Sequence, residues 1–197
     1  ALLSQMSNEA SVYVVSEGTS LDEALSENET AVLPVMQQLQ REGHVSRVSG
    51  VGRFLPSQQA QQQLSARWNS YWQEHREAVL SELQAAAARE GFSKEAFKPF
   101  VDMVSPPSVP QPEEHFDILK GYLAGTYILE GADRVRVVSL VQTADEENVK
   151  QAVRAQQNGQ VFAFSGKDLG NQLVEILSDS FNYIGFVFGF VVFFSFF

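Results

Sequence analysis

RVRVVSLVQTADEENVKQAVRAQQNGQVFAFSG, residues 134–166, contains one complete strand–helix–strand passage. RVRVVSLVQ (134–142) has the β-branched content of a strand. Thr143 to Glu146 has the spacing of a capping box, and Val149, Ala152 and Val153 supply the buried face of the helix it opens. Asn158-Gly159 stops that helix, and QVFAFSG (160–166) is extended again. Just upstream, TYILE (126–130), a GAD turn and the 134–142 strand form a hairpin, preceded by a short helix carrying Phe116, Leu119 and Leu123.

The same order occurs near the start of the chain. ASVYVVSEG (10–18) is a strand, and Ser20 with Asp22 and Glu23 opens a helix whose Leu21, Ala24, Leu25, Val32, Val35, Met36 and Leu39 recur at helical spacing up to Gly43. Pro34 falls inside that run and removes a backbone donor, which predicts a break or fresh start between Asn28 and Pro34. HVSRVSGVGRFLP (44–56) is a second extended segment, bent or bulged at its glycines. Counting the 126–142 hairpin as one bent ribbon, the two passages combine into an α+β fold, a ferredoxin-like βαββαβ sheet with its helices on one face.

A helical hairpin is inserted between the halves. Ser57 to about Glu90 is the longest helical pattern, with Leu64, Trp68, Tyr71, Trp72, Val79, Leu80 and Leu83 three or four apart and glutamines outside them. Gly91 stops it, and Ser93 is the expected cap of a shorter helix with Phe97, Phe100, Val101 and Val104 on one face. SPPSVPQP (105–112) then forms a stiff, extended connector. The final helix, capped by Ser165 with Asp168, carries Leu169, Leu173, Ile176 and Leu177 into SFNYIGFVFGFVVFFSFF (180–197), which is uncharged and apolar on every face. That tail is the expected start of a transmembrane helix, truncated before its far end, in a longer membrane protein. The boundaries are thus 1–56 for the first βαβ half, 57–112 for the hairpin and connector, 113–179 for the second half, and 180–197 for the membrane helix.

A formal charge of −10 and a pI near 4.7, with no basic run, exclude nucleic acid as a partner, because that affinity comes from clustered Lys and Arg releasing counterions. The absence of cysteine removes disulfides, thiolate metal sites and cysteine nucleophiles. Residues 1–10 lack the basic start and apolar core of a signal peptide. His44, His75 and His115 are far apart and in no HExxH or HxH arrangement, so no metal site is expected. G-x-S-x-G is absent, Gly50-Val51-Gly52 lacks the rest of a phosphate loop, and the acidic groups Glu113-Glu114 and Asp145-Glu146-Glu147 fall at helix starts, where carboxylates offset the dipole. No catalytic residue and no cofactor site emerges. One candidate site does: Trp68, Tyr71 and Trp72, with Phe97 and Phe100, either pack the hairpin seam, together with Phe92, or line an apolar ligand cleft between hairpin and sheet.

An α/β body with a long helical insertion after GVGRFLPSQQAQQQLSARW, closing through LVEILSDSFNYIGFVFGFVVFF into a membrane helix, resembles the extracytoplasmic porter domain of an MMPL-type exporter of the resistance-nodulation-division (RND) superfamily, in its second half. The resemblance implies a proton-driven exporter of lipids or other hydrophobic cargo in the bacterial inner membrane, with residues 1–179 in the periplasm. It further implies docking against a companion porter domain, and a homo-oligomer is compatible with it. The proton relay would lie outside these residues, and no enzymatic activity is implied. The alternative is a membrane-anchored periplasmic binding or adaptor module whose tail is only an anchor. A third reading, a pore-forming protein, would need a sequestered place for the phenylalanines.

Overall fold

The computed structural model describes residues 9–52, 54–93, 95–156 and 158–195. It is a mixed α/β protein built on one antiparallel five-stranded sheet. β1 (Ala10–Gly18) lies between β4 (Val135–Thr143) and β5 (Val161–Ser165), while β2 (Val45–Ser49) and the short β3 (Ile128–Glu130) pair with β4. The order β2-β4-β1-β5 means that β1 and β2 run parallel with β4 between them, and β4 and β5 run parallel with β1 between them. Two split β-α-β units therefore interlock, the connectivity required by a β-α-β-β-α-β path.

The helices follow from local chemistry. α1 (Leu21–Glu27) is capped by Ser20, whose hydroxyl accepts from Glu23 N–H, while Glu23 returns a carboxylate to Thr19 N–H at 2.7 Å. The expected break before Pro34 is a π-helical turn, Asn28–Val32, after which α2 (Leu33–Arg41) starts afresh with the proline in its first turn, where no donor is needed. α6 (Glu146–Arg154) is capped by Asp145 and not by Thr143: Asp145 accepts from Asn148 N–H, while the Thr143 hydroxyl closes the end of β4 by donating to His44 C=O. α1, α2 and α6 cover one face of the sheet, where Val12, Val14, Val32, Met36, Val141 and Val149 form the core. The opposite face presents Tyr13, Phe162 and Phe164, with Tyr13 stacked on Phe164 at 5.4 Å.

Gly18 marks the closest approach of strand and helix. A Cβ there would sit 2.5 Å from the backbone nitrogen of Ala24, an atom that cannot yield. Gly18→Ala is expected to cost about 1–3 kcal/mol through overpacking, lowering the urea midpoint with an unchanged slope.

The second extended segment is a strand only over Val45–Ser49; it has a register shift between Val45 and Arg47, and the chain then bends at Gly50 and Val51 and turns at Gly52, as expected at the glycines. Gly50 also makes a close contact, because a Cβ would lie 2.9 Å from the Ser139 hydroxyl. The inserted hairpin contains α3 (Gln58–Arg89), about 48 Å long at 1.5 Å per residue, and α4 (Lys98–Val104). Ser93 does not cap α4, which starts after Phe97 without a side-chain cap and with Pro99 in its first turn. A 3₁₀ turn (Glu113–Phe116) and α5 (Asp117–Leu123) lead into β3.

α7 (Gly166–Ser195) is one unbroken helix, so the expected passage from porter helix to tail is continuous. The expected start of a membrane helix within it is not supported: among the described residues no helix is long and apolar enough to cross a membrane. The described side chains of α7 include Lys167, Asp168 and Glu175, which keep that portion amphipathic, whereas Phe196, Phe197 and most side chains after Ile184 lie outside the described residues.

Candidate functional site

Three local arrangements position side chains that the fold alone does not require. The first is the face of α3 bearing residues 58, 61, 65, 69, 72 and 76, spaced three and four apart. Proline-rich backbone makes no hydrogen bonds to itself, so its remaining amides need outside partners. This face supplies them. Gln61 accepts from Gln111 N–H at 2.8 Å, and Gln58 donates to Gln111 C=O. Asn69 holds both backbone polar groups of Ser108, accepting from its N–H at 2.7 Å and donating to its C=O at 2.8 Å. Arg76 donates to Val104 C=O. The connector is thus laid back along α3, and Gln61, expected on the outside, is 8% exposed.

The second arrangement is the aromatic group. Trp72 is 5% exposed and packs against Trp68, Tyr71 and Phe100, with ring centroids 5.6, 5.5 and 5.9 Å away. Phe97 sits apart at the hairpin's far end against Phe92. Trp68 and Tyr71 face outward, 40% and 48% exposed, and Tyr71 stacks on His75. Trp72 and Phe100 therefore occupy the seam, while Trp68 and Tyr71 continue an outward strip begun by Leu64. A cleft of about 300 Å³ opens below that strip at the hairpin root, lined by Leu64, Ala60, Pro56, Gly52, Thr30 and Glu29 among others. None of the five aromatic candidates lines it. The sequence pattern marked the aromatic residues but not this cleft, whose walls come from the π-turn, the loop after β2 and the first turns of α3.

The third is the root of α7. Asp168 and Ser165 cap each other: the carboxylate accepts from Ser165 N–H at 2.8 Å, and the hydroxyl accepts from Asp168 N–H at 3.3 Å. Lys150 of α6, 3% exposed, donates to Asp168 at 2.9 Å and pairs with Glu147 at 2.6 Å. The Ser165 N–H, then the Lys150 ammonium, draw the Asp168 pKa down to about 2. Lys150 is held above the usual lysine value, by Glu147 first and Asp168 second. The cap was legible in the sequence. The lysine was not, because nothing in its spacing indicates that α6 turns it toward the start of α7.

Beyond this root, α7 leaves the body with its apolar side chains bare. Leu169, Leu173, Ile176, Leu177, Phe181 and Ile184 are all at least half exposed. The three histidines lie in separate elements, and among the described residues no group of three His, Cys, Asp or Glu side chains is placed to hold a metal ion. No protein-family model, curated protein or solved structure matches the chain.

Proposed function

We propose that residues 1–179 form a porter-type, ferredoxin-like extracytoplasmic domain of an RND/MMPL-type exporter, in the periplasm, and that the tail begins a helix entering the bacterial inner membrane. The observation that supports this reading is α7: one continuous helix, clamped at its root, whose described apolar side chains from Leu169 to Ile184 are turned to solvent and whose sequence after Asp179 is uncharged. A continuous helix transmits a tilt with little loss, so movement in the membrane would reach β5 and α6 through the Asp168–Lys150 clamp. The domain would guide a lipid or other hydrophobic cargo past Leu64, Trp68 and Tyr71 and dock on a companion porter domain, with no bond-making chemistry of its own.

The purified 197-residue chain is expected to float with phosphatidylcholine vesicles in a density gradient, and Ile184→Asp with Phe188→Asp should leave it at the bottom. Wild-type chain that stays at the bottom refutes the membrane reading. The projecting α3 with its outward Trp68 and Tyr71 favours a second reading, an anchored adaptor gripping a partner protein. The two part on the parent protein: transport needs several further spans with intramembrane carboxylates, whereas the adaptor needs none.

A further inference from the structure

Proline-rich backbone is held on one side of α3, and the opposite side carries similar chemistry exposed. On the occupied side the chain runs antiparallel to the helix: Val104 at the end of α4, then Ser108 and Gln111, meet Arg76, Asn69 and Gln61 in turn. Between the first and last of these contacts α3 covers about 22 Å, so the segment advances about 3.2 Å per residue, close to the polyproline II rise of about 3.1 Å. Pro112, at φ −63° and ψ 154°, has that conformation. Side-chain amides and a guanidinium on one helix face thus hold an extended segment whose own amides lack partners.

At 100° per residue, Gln59, Gln63, Leu64, Arg67 and Tyr71 share an arc of about 140° on the side away from the connector. The first four line the cleft of about 300 Å³ at the hairpin root. Tyr71, one turn above Arg67, is 48% exposed, and its ring is braced against His75 at 4.5 Å. Gln59 accepts from the Ser26 hydroxyl and keeps its own N–H groups open. Among the described residues Gln63 makes no hydrogen bond, and Arg67 makes neither a hydrogen bond nor an ion pair. The acid in the cleft, Glu29, is already engaged by the Ser57 N–H at 2.8 Å and by the Ser57 hydroxyl. Arg67 therefore lacks a counter-charge in a chain whose net charge is −10.

We infer that this face of α3 takes an extended, proline-containing segment of a partner protein, running antiparallel to the helix as the connector does. A proline packs on Tyr71, an acidic residue one turn nearer the root pairs with Arg67, and the carbonyls that follow accept from Gln63 and Gln59 in the cleft. A polyproline II segment suits such a surface, because its carbonyls are unpaired, its rings pack on exposed aromatic side chains and its conformation is set before binding. The inference goes beyond the exporter reading and does not depend on where α7 ends.

The probe is a synthetic peptide of residues 105–116, SPPSVPQPEEHF, in which Pro112 precedes Glu113 and Glu114. Labelled with fluorescein and titrated with the 197-residue chain in detergent micelles, it should bind saturably, about tenfold more weakly to Arg67→Glu and several-fold more weakly to Gln63→Ala. A peptide carrying Glu113→Lys and Glu114→Lys should reverse the preference and bind Arg67→Glu better than wild type. Both substituted side chains are exposed, so folding is not at stake. The chain lacks cysteine, so a peptide ending in cysteine reports its position by disulfide formation. It should link to Gln63→Cys several-fold more than to Ser65→Cys, which faces the connector at Ser108. Absence of saturable binding overturns the inference, as does binding that Arg67→Glu and Gln63→Ala leave unchanged. Preferred linking to Ser65→Cys would mean that the peptide displaces the chain's own connector, and overturns it too. In each of these cases the membrane reading stands.

Discussion

Trp72→Ala is expected to remove about 3–5 kcal/mol of stability, the usual cost of truncating a buried tryptophan, while Trp68→Ala and Tyr71→Ala each cost less than about 1 kcal/mol. Trp72 is the point where the long helix meets Phe100, and its loss leaves a hole that the hairpin cannot close without moving the connector. The connector resists that movement, because Asn69 and Gln61 hold its amide groups before the tryptophan along α3, while Arg76, after it, holds the Val104 C=O at the end of α4. Urea titration of the three variants measures the contrast. Equal losses would return Trp68 and Tyr71 to the core; a negligible loss for Trp72 would remove the seam. Retention of a fluorescent fatty acid gives the complementary reading, falling with Trp68 and Tyr71 and not with Trp72 beyond its effect on folding.

The second large effect belongs to the root of α7. Asp168→Ala removes the acceptor of the Ser165 N–H, the reciprocal cap and one of two partners of a buried lysine. The expected loss is about 2–3 kcal/mol, and Asp168→Asn, which keeps an acceptor but not the charge, should lose less. The pH dependence has two limbs. The Asp168 carboxylate is easier to ionise folded than unfolded, so its contribution is present above its ordinary value of 3.8 and is lost as the pH falls through about 2. Lys150 is raised, so its contribution is complete below 10.5 and disappears as the pH climbs through its higher folded value. Asp168→Asn should flatten the acid limb in the range between about 4 and 2 in urea midpoints. An unchanged acid limb would mean that the clamp contributes nothing.

Much of this arrangement was legible because period and capping are local. The aromatic and β-branched content of ASVYVVSEG, the Ser20–Glu23 and Ser165–Asp168 caps and the proline at position 34 act within one or two turns, and each element forms where those signals lie. The errors share a cause, since in each the deciding partner is distant in sequence. Thr143 reads as a cap until His44 C=O, brought alongside by β2, takes its hydroxyl. Gln61 reads as solvent-facing until the connector returns with an amide to be satisfied. Lys150 carries no local signal of its role, because its partner Asp168 is reached only where α6 and α7 meet. The candidate site was half legible: aromatic spacing located the hairpin seam, but the cleft at its root depends on Thr30, Pro56 and Leu64 converging from separate elements, which periodicity cannot report.

A membrane-entering α7 must place its far end in lipid. Spin labels on single cysteines at Ile184 and Asn171, in the chain mixed with phosphatidylcholine vesicles, read this directly through relaxation by oxygen and by a water-soluble nickel chelate. The label at 184 should be relaxed by oxygen and shielded from nickel, and the label at 171 should show the reverse. A label at 184 that is as open to nickel as that at 171, or that senses the same surroundings with and without vesicles, would contradict a helix that runs from the sheet into lipid.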